Sequence, residues 1–156
     1  MLFNLGLLTS LLAITSITAS PLTSHAPSSS ALERRNNDIT HLGAVGKTLS
    51  GGTKFGDLVF VSGQVPLVNG TIVPGGIKNE TALCIQRVGE ILQEAGTDWS
   101  RVLKVTVLLQ DINDLAEMNE VYSAMIPDPK PARAAFEVGN LPVTGISVEI
   151  EAVAAL

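Results

Sequence analysis

The chain has 156 residues, of which 46% are hydrophobic, which is enough to bury one sizeable core and is typical of a single globular domain. Its 10 Lys and Arg residues against 15 Asp and Glu residues give a net charge of −5. Because binding to a nucleic-acid backbone depends on clustered positive charge, and the sequence carries no basic cluster with interleaved aromatic residues, this balance argues against a nucleic-acid partner.

The first 35 residues differ in composition from the rest of the chain. Residues 1–20 are almost all apolar or hydroxyl-bearing and end in small residues, which predicts a secretory signal peptide and not a spanning helix. Residues 21–35 are rich in serine and proline and predict a disordered pro-segment that ends at the dibasic pair Arg34-Arg35. We therefore expect a secreted protein, free of the membrane after processing, with its domain over residues 36–156. An uncut flexible tail is the alternative.

Two Asn-x-Thr triplets, which begin at Asn69 and Asn79, are candidate glycosylation sites in a secreted protein. Cys84 is the single cysteine of the chain, so no intramolecular disulfide can form. Its apolar neighbours on a predicted helix indicate a buried small hydrophobic residue rather than a reactive thiol. Without a disulfide, the domain depends on its core or on oligomerisation for stability.

Strand and helix patterns alternate beyond residue 38. Alternating apolar residues and turn signals predict strands over residues 39–45, 57–62, 67–68, 71–73, 102–109, 132–138 and 147–154. The first helix is predicted to be capped by Asn79 and ended by Gly96. The second is predicted to begin at Asp111 or Asn113 and to end before Pro127. This order predicts an α+β layer in which two helices cover one mixed sheet.

Polar side chains interrupt the apolar pattern of the last two strands. In the last strand the apolar residues share one face, which suits covering by the helices, and Glu149 and Glu151 point to the other, helix-free face. In the preceding strand we assign Arg133, Ala135 and Glu137 to that same helix-free face. A guanidinium suits a planar carboxylate, and a carboxylate can hold or activate water. From these residues alone, an ordinary solvated sheet face is the alternative.

Short motifs in order along residues 39–156 resemble the RidA/YjgF family of reactive-intermediate (2-imino acid) deaminases. They are FVSGQVP at 60–66, EAGT at 94–97, VTV at 105–107, MNEVY at 118–122, PAR at 131–133, EV at 137–138, LP at 141–142 and VEIEAVA at 148–154. The resemblance, to a secreted fungal-type member, implies a chorismate-mutase-like fold. It also implies a homotrimer in which helix-free sheet faces meet and ligand pockets lie between subunits.

The resemblance also implies roles for individual residues. Arg133 holds the substrate carboxylate, and Glu149 positions the water that attacks the imine carbon. Four further residues are implied as substrate-binding groups: Ser62, Gly63, Asn119 and Ala135. The implied reaction is hydrolysis of a 2-imino acid, or its enamine tautomer, to a 2-oxo acid and ammonium, with no metal and no organic cofactor.

The chain departs from the family pattern at two pocket positions. Leu49 stands where family members usually carry a tyrosine, and Ala135 stands where a cysteine is common. This changed wall leaves two alternatives beside the imine hydrolase. One is a non-catalytic trimer that binds a small molecule. The other is a tailoring enzyme, repurposed in a fungal metabolite pathway, that accepts a larger reactive intermediate.

Overall fold

The structure is a computed structural model and describes residues 38–156. The predicted signal peptide and pro-segment, residues 1–35, lie outside the described residues. In chain order the elements are β1 (Thr40–Val45), β2 (Ser50–Phe55), β3 (Leu58–Gln64), β4 (Leu67–Val68), β5 (Thr71–Ile72), α1 (Gly76–Ala95), β6 (Val102–Leu109), α2 (Leu115–Met125), β7 (Ala132–Glu137) and β8 (Val148–Ala155).

A six-stranded sheet with the order β1-β2-β3-β8-β6-β7 forms one layer, and β4 and β5 form a separate hairpin. Neighbouring strands of the large sheet are antiparallel, except that β6 and β7 run parallel. The two helices pack on one face of this sheet through a shared apolar core. The predicted α+β layer of two helices on one mixed sheet is confirmed.

The hydrophobic core lies between the helices and the sheet. The helices contribute Ile85, Val88, Leu92, Met118 and Tyr122, each at most 4% exposed. The sheet contributes Val59, Val61, Val105, Val107, Leu109, Val148, Ile150, Ala152 and Ala154. Removing each large apolar side chain from water stabilises the fold by about 1.5–3 kcal/mol. The apolar positions of β8 therefore face the helices, as the alternation predicted.

The helix α1 begins at Gly76, ahead of the cap predicted at Asn79. Gly75 precedes it in the left-handed conformation with φ 109°, and no side chain caps the first turn. Asn79 lies inside the helix, where its Nδ2 donates a hydrogen bond to the carbonyl oxygen of Pro74 at 2.8 Å. The prediction of Asn79 as the N-cap is therefore wrong. Gly96 ends the helix as predicted, with φ 89°.

The strand β2 was not predicted, because its sequence Ser-Gly-Gly-Thr-Lys-Phe has a weak intrinsic preference for extended structure. It forms because it is hydrogen-bonded on both sides, to β1 and to β3. Its glycines also make room for a helix side chain. A Cβ atom on Gly51 or Gly52 would lie 2.9 or 2.8 Å from Ile91. The side chain of Ile91 thus packs directly on the backbone of β2.

The register between β6 and β7 corrects the predicted direction of Arg133. Residues paired across neighbouring strands point to the same face of a sheet. Arg133, Ala135 and Glu137 pair with residues that are completely buried beneath the helices, namely Val105, Val107 and Leu109. The three β7 residues therefore lie on the helix side of the sheet, and their assignment to the helix-free face is wrong.

The error has a physical cause in the position of β7 at the edge of the sheet. The apolar residues of this strand suggested a core-facing side, yet Phe136 is 46% exposed and lies on the helix-free face. Phe136 and Glu149 both pair with Leu108, so they share that face. The assignment of Glu149 and Glu151 to the helix-free face is confirmed.

Candidate functional site

Glu149 lies in a cavity of about 440 Å³, against the backbone of Gly63. Gly63 belongs to β3 at a register irregularity between Val61 and Gln64. A Cβ atom on Gly63 would lie 2.7 Å from the Cδ atom of Glu149. The close approach therefore requires glycine, because any larger residue would displace the carboxylate. Both predicted residues, Gly63 and Glu149, are brought together by the pairing of β3 with β8.

The surroundings of Glu149 favour its protonated form. Burial raises the pKa of Glu149 above its usual range, and the negative charge of Glu151 on the same face adds to this shift. Neither of the two ion pairs found within residues 38–156 involves Glu149. A carboxylate with a raised pKa is a stronger proton acceptor than an ordinary one. It is suited to take a proton from a bound water molecule and to return it.

Apolar side chains form most of the cavity wall. The complete lining is Ala44, Leu49, Gly51, Gly63, Gln64, Val65, Ile91, Pro142, Val143 and Glu149. The amide of Gln64 is directed at the backbone, since its Nε2 donates to the carbonyl oxygens of Ser62 at 2.9 Å and Gly51 at 3.4 Å. Among residues 38–156, Glu149 is thus the one charged side chain that lines this cavity. Leu49, at the position where the family resemblance implies a tyrosine, contributes to the wall.

The hydroxyl of Ser62 is used in a hydrogen bond between two strands and does not point into the cavity. Its Oγ donates a hydrogen bond to the carbonyl oxygen of Ser50 at 2.8 Å, which ties β3 to β2. Ala135, the other small predicted pocket residue, packs against the core. In one chain, neither side chain lies in the cavity that holds Glu149.

Arg133 is held by two residues of α2. Its Nη1 donates a hydrogen bond to Oδ1 of Asn119 at 2.7 Å. Its guanidinium carbon lies 4.6 Å from the centre of the Tyr122 ring, within the range of a cation–π contact. Burial raises the pKa of Tyr122, against the opposing charge of Arg133. The remaining N–H groups of Arg133 can donate to a planar carboxylate at the exposed sheet edge.

Sequence reasoning found Asn119 but missed the contact of Tyr122 with Arg133. The spacing carried a usable signal, because residues three apart on a helix lie on the same side, so Asn119 and Tyr122 can both reach one partner. This spacing alone did not identify Arg133 as the partner, because the sequence does not show which side of β7 faces α2.

Arg133 and Glu149 do not converge within one chain. Their strands are separated by β6, and pairing through Leu108 places Glu149 level with Phe136, three residues from Arg133. With strands about 4.8 Å apart and a rise of about 3.3 Å per residue, the Cα atoms are about 14 Å apart. The two side chains also point to opposite faces. A small organic acid cannot contact both within a single chain.

Other predicted residues lie outside this cavity. Cys84 is completely buried, and burial raises the pKa of its thiol to about 12, which confirms a small core residue. Asn69 is exposed in the turn between β4 and β5, with φ 50°, and Asn79 lies in α1. Within residues 38–156, no group of three or more His, Cys, Asp or Glu side chains is placed to hold a metal ion. No helix in this range has the length and apolar character needed to cross a membrane.

These features define a class of α+β domain that presents a half-buried carboxylate packed against a glycine in a small, mostly apolar cavity. The family model described as Endoribonuclease L-PSP matches residues 41–156, and the chain belongs to this family, which contains the RidA and YjgF proteins. The RidA/YjgF resemblance inferred from the motifs is confirmed.

Named relatives and solved structures agree with this family. The chain is 44% identical to "Protein mmf2, mitochondrial" of Schizosaccharomyces pombe, over 65% of this chain and 82% of that protein. It is 46% identical to the 2-iminobutanoate/2-iminopropanoate deaminase of Mus musculus, over 62% of this chain and 71% of that protein. The crystal structure of RidA from a Psychrobacter species superposes with a TM-score of 0.67, at 35% identity, over 74% of this chain and 94% of that chain.

The prediction of secretion is wrong. Two relatives from Schizosaccharomyces pombe, mmf2 and mmf1, are named mitochondrial proteins. The prediction came from the apolar and hydroxyl-rich composition of residues 1–20, without the basic residues that open a secretory signal. A serine-rich segment poor in acidic residues is also typical of organelle targeting, so this composition did not discriminate between the two destinations.

Proposed function

We propose that this protein hydrolyses 2-imino acids to 2-oxo acids and ammonium. One observation carries the proposal: a half-buried carboxylate with a raised pKa, Glu149, lies against Gly63 in a cavity of about 440 Å³. The names of the mammalian relatives, 2-iminobutanoate/2-iminopropanoate deaminases, support the same reaction class. RNA cleavage, to which the name of the family model refers, is not proposed, because the net charge of −5 disfavours a polyanionic substrate.

The proposed reaction needs one base that returns its proton. Water adds to the electrophilic carbon of the protonated imine, and Glu149 accepts the proton that this water loses. The product is a tetrahedral adduct that carries a hydroxyl and an amino group on one carbon. Glu149 then returns its proton to the nitrogen, the C–N bond breaks, and the hydroxyl becomes the carbonyl as its own proton leaves with the departing ammonium. One imine and one water give one 2-oxo acid and one ammonium ion.

The substrate carboxylate is proposed to bind Arg133 of a neighbouring copy. This arrangement follows from the separation of about 14 Å between the Cα atoms of Arg133 and Glu149 and from their opposite directions within one chain. The edge position of β7 leaves Arg133 exposed, where a second copy can approach. A contact in which Arg133 of one copy completes the Glu149 cavity of the next is heterologous, and such a contact forms a ring when the rotation between copies closes.

An apolar patch supports association through the helix-free face. Four large apolar side chains on this face are 37–47% exposed: Phe55, Leu58, Phe60 and Phe136. Burying them between copies removes apolar area from water, which favours assembly. The homotrimer expected from the family resemblance is the closed ring that we propose.

The test is release of 2-oxo acid and ammonium from 2-iminopropanoate, generated in situ by an amino-acid oxidase. Wild-type protein is expected to accelerate hydrolysis over the spontaneous rate, whereas Arg133→Ala and Glu149→Gln do not. Light scattering on each variant checks that assembly persists. If wild-type protein binds the product 2-oxo acid but gives no acceleration, the deaminase proposal fails and a binding protein remains.

Mixing the two inactive variants tests the shared site. Co-expressed in equal amounts, they pair an intact Arg133 with an intact Glu149 at about one interface in four of a randomly assembled ring. Recovery of about a quarter of the wild-type activity is therefore expected. Activity that stays at the level of the separate variants would contradict a site formed between copies.

A further inference from the structure

We infer that the cavity selects 2-imino acids with branched aliphatic side chains, of the size found in leucine, over those with short or polar side chains. Leu49, Val65 and Ile91 are the specificity-determining residues. The inference rests on the proposed function and adds the substrate class that the proposed site prefers.

The geometry of the proposed reaction fixes which part of the substrate meets the apolar wall. The reacting carbon lies beside Glu149 and Gly63, and the substrate carboxylate points to Arg133 of the neighbouring copy. The third substituent of the reacting carbon, its side chain, is left to occupy the rest of the cavity. That remainder is lined by the side chains of Ala44, Leu49, Val65, Ile91, Pro142 and Val143.

A polar side chain finds few partners among the described residues of this wall. Within the part of the chain that the structure describes, Glu149 is the one charged side chain that lines the cavity. In the proposed reaction it acts at the reacting carbon. The amide of Gln64 donates to backbone carbonyl oxygens of Ser62 and Gly51. A substrate amide or hydroxyl placed there would lose most of its hydrogen bonds to water without replacement. The lining therefore disfavours polar side chains.

The size of the cavity in a single chain accommodates side chains much larger than a methyl group. Its volume of about 440 Å³ lies in the usual range for ligand sites, and a methyl group occupies little of it. Each additional methylene that leaves water for an apolar wall improves binding about fourfold. If the wall contributes equally to the transition state, a leucine-sized side chain gains more than 10-fold in kcat/KM over a methyl group.

The wall is held in place by its neighbours, so it does not collapse around a small substrate. Ile91 packs on three glycines, where added Cβ atoms would lie 2.5 Å away at Gly43, 2.9 Å at Gly51 and 2.8 Å at Gly52. Arg87 donates hydrogen bonds to the carbonyl oxygens of Val65, at 3.1 Å, and Leu67. Both contacts join the cavity wall to the helix α1.

The experiment compares kcat/KM for the imino acids that an amino-acid oxidase forms from alanine, leucine and asparagine. The leucine and asparagine side chains have nearly the same shape, so their comparison isolates polarity. For the full-length wild-type protein we expect the leucine-derived imine to exceed each of the other two at least 10-fold, after subtraction of spontaneous hydrolysis.

Variants of the wall assign the preference to named residues. Leu49→Asn and Ile91→Ala are expected to reduce the leucine-to-alanine ratio of kcat/KM about 5-fold or more. Val68→Ala, which truncates a side chain that is 49% exposed outside the cavity, is the matched control and leaves the ratio unchanged. Leu49 is 63% exposed, so Leu49→Asn keeps the test usable if Ile91→Ala does not fold.

The outcomes separate this inference from the proposed function. Equal kcat/KM for the alanine-derived and leucine-derived imines would overturn the inference and leave the deaminase proposal intact. Equal values for the leucine-derived and asparagine-derived imines would overturn it as well. Acceleration of none of the three would refute the proposed function itself.

Discussion

The carboxylate of Glu149 occupies the space that a side chain at position 63 would need. A Cβ atom on Gly63 would lie 2.7 Å from Cδ and 3.0 Å from Cγ of Glu149. Gly63→Ala is therefore expected to displace the carboxylate and to lower kcat/KM about 100-fold, the scale of an ångström-sized misplacement in an active site. The overpacked site should also lower the melting temperature by about 5 °C. Steady-state kinetics and thermal unfolding measure the two effects.

A double variant distinguishes displacement of Glu149 from general damage. Glu149→Ala added to Gly63→Ala removes the crowded atoms, so the melting temperature should return to that of Glu149→Ala alone while activity stays absent. Gly139→Ala is the matched control, because a Cβ atom there meets nothing within 4 Å and Gly139 is not among the glycines with positive φ. Full activity in Gly63→Ala would contradict the contact.

The ionised carboxylate of Glu149 is expected to lower the free energy of unfolding at neutral pH. Burial, together with the charge of Glu151, raises the pKa of Glu149 in the folded chain above its unfolded value. Between the unfolded and the folded pKa of Glu149, the folded state binds more protons than the unfolded state. The free energy of unfolding therefore falls as pH rises through this range, and the whole loss of stability is present above the folded pKa. Glu149→Gln should raise the melting temperature by about 2 °C at pH 7. The difference should vanish below the unfolded pKa, about 4.3.

The charge of Glu151 should be visible in the pH dependence of catalysis. If Glu149 acts as the base, kcat/KM falls on the acidic side as this carboxylate takes up a proton. Glu151→Gln removes the second cause of the raised pKa, so it should shift this acidic limb to lower pH. A pH–rate profile measures the shift. An unchanged limb would show that Glu149 does not control it.

We expect that the ring of Tyr122, and not its hydroxyl, orients the guanidinium of Arg133. The hydroxyl is buried and has no hydrogen-bond partner among residues 38–156, whereas the ring centre lies 4.6 Å from the guanidinium carbon. Tyr122→Phe should therefore leave KM within about twofold. Tyr122→Leu keeps an apolar side chain but removes the cation–π contact, and KM should rise about 3- to 10-fold. Similar kinetics for the two variants would show that the ring does not orient Arg133.

Arg87 is expected to stabilise the cavity wall through the carbonyl oxygens of Val65 and Leu67. Arg87→Gln leaves these acceptors without their donor, at a cost of about 1–3 kcal/mol. KM for the leucine-derived imine should rise more than KM for the alanine-derived one. Arg101→Gln is the matched control, since Arg101 also donates to a carbonyl oxygen, that of Leu156, but is exposed and does not line the cavity. Equal effects of the two variants would exclude a specific role for Arg87.

Local patterns predicted much of the fold. The alternation in β8 correctly separated its core residues from Glu149 and Glu151, because a strand alternates strictly and its apolar face is continuous. Gly96 ended α1 as predicted, since a left-handed residue is readily supplied by glycine. The glycine-rich β2 was missed because its strand conformation comes from pairing with β1 and β3, not from its own residues.

The sequence by itself determined the family, the two-helix layer and the pair of residues on which the proposed chemistry depends. Only the tertiary structure decided that Arg133 and Glu149 lie on opposite faces of one sheet, so that a site using both requires a second copy. The physical reason is that alternation within a strand defines two faces but does not say which one is covered. For β7, that choice depends on its parallel register with β6 and on its place at the sheet edge.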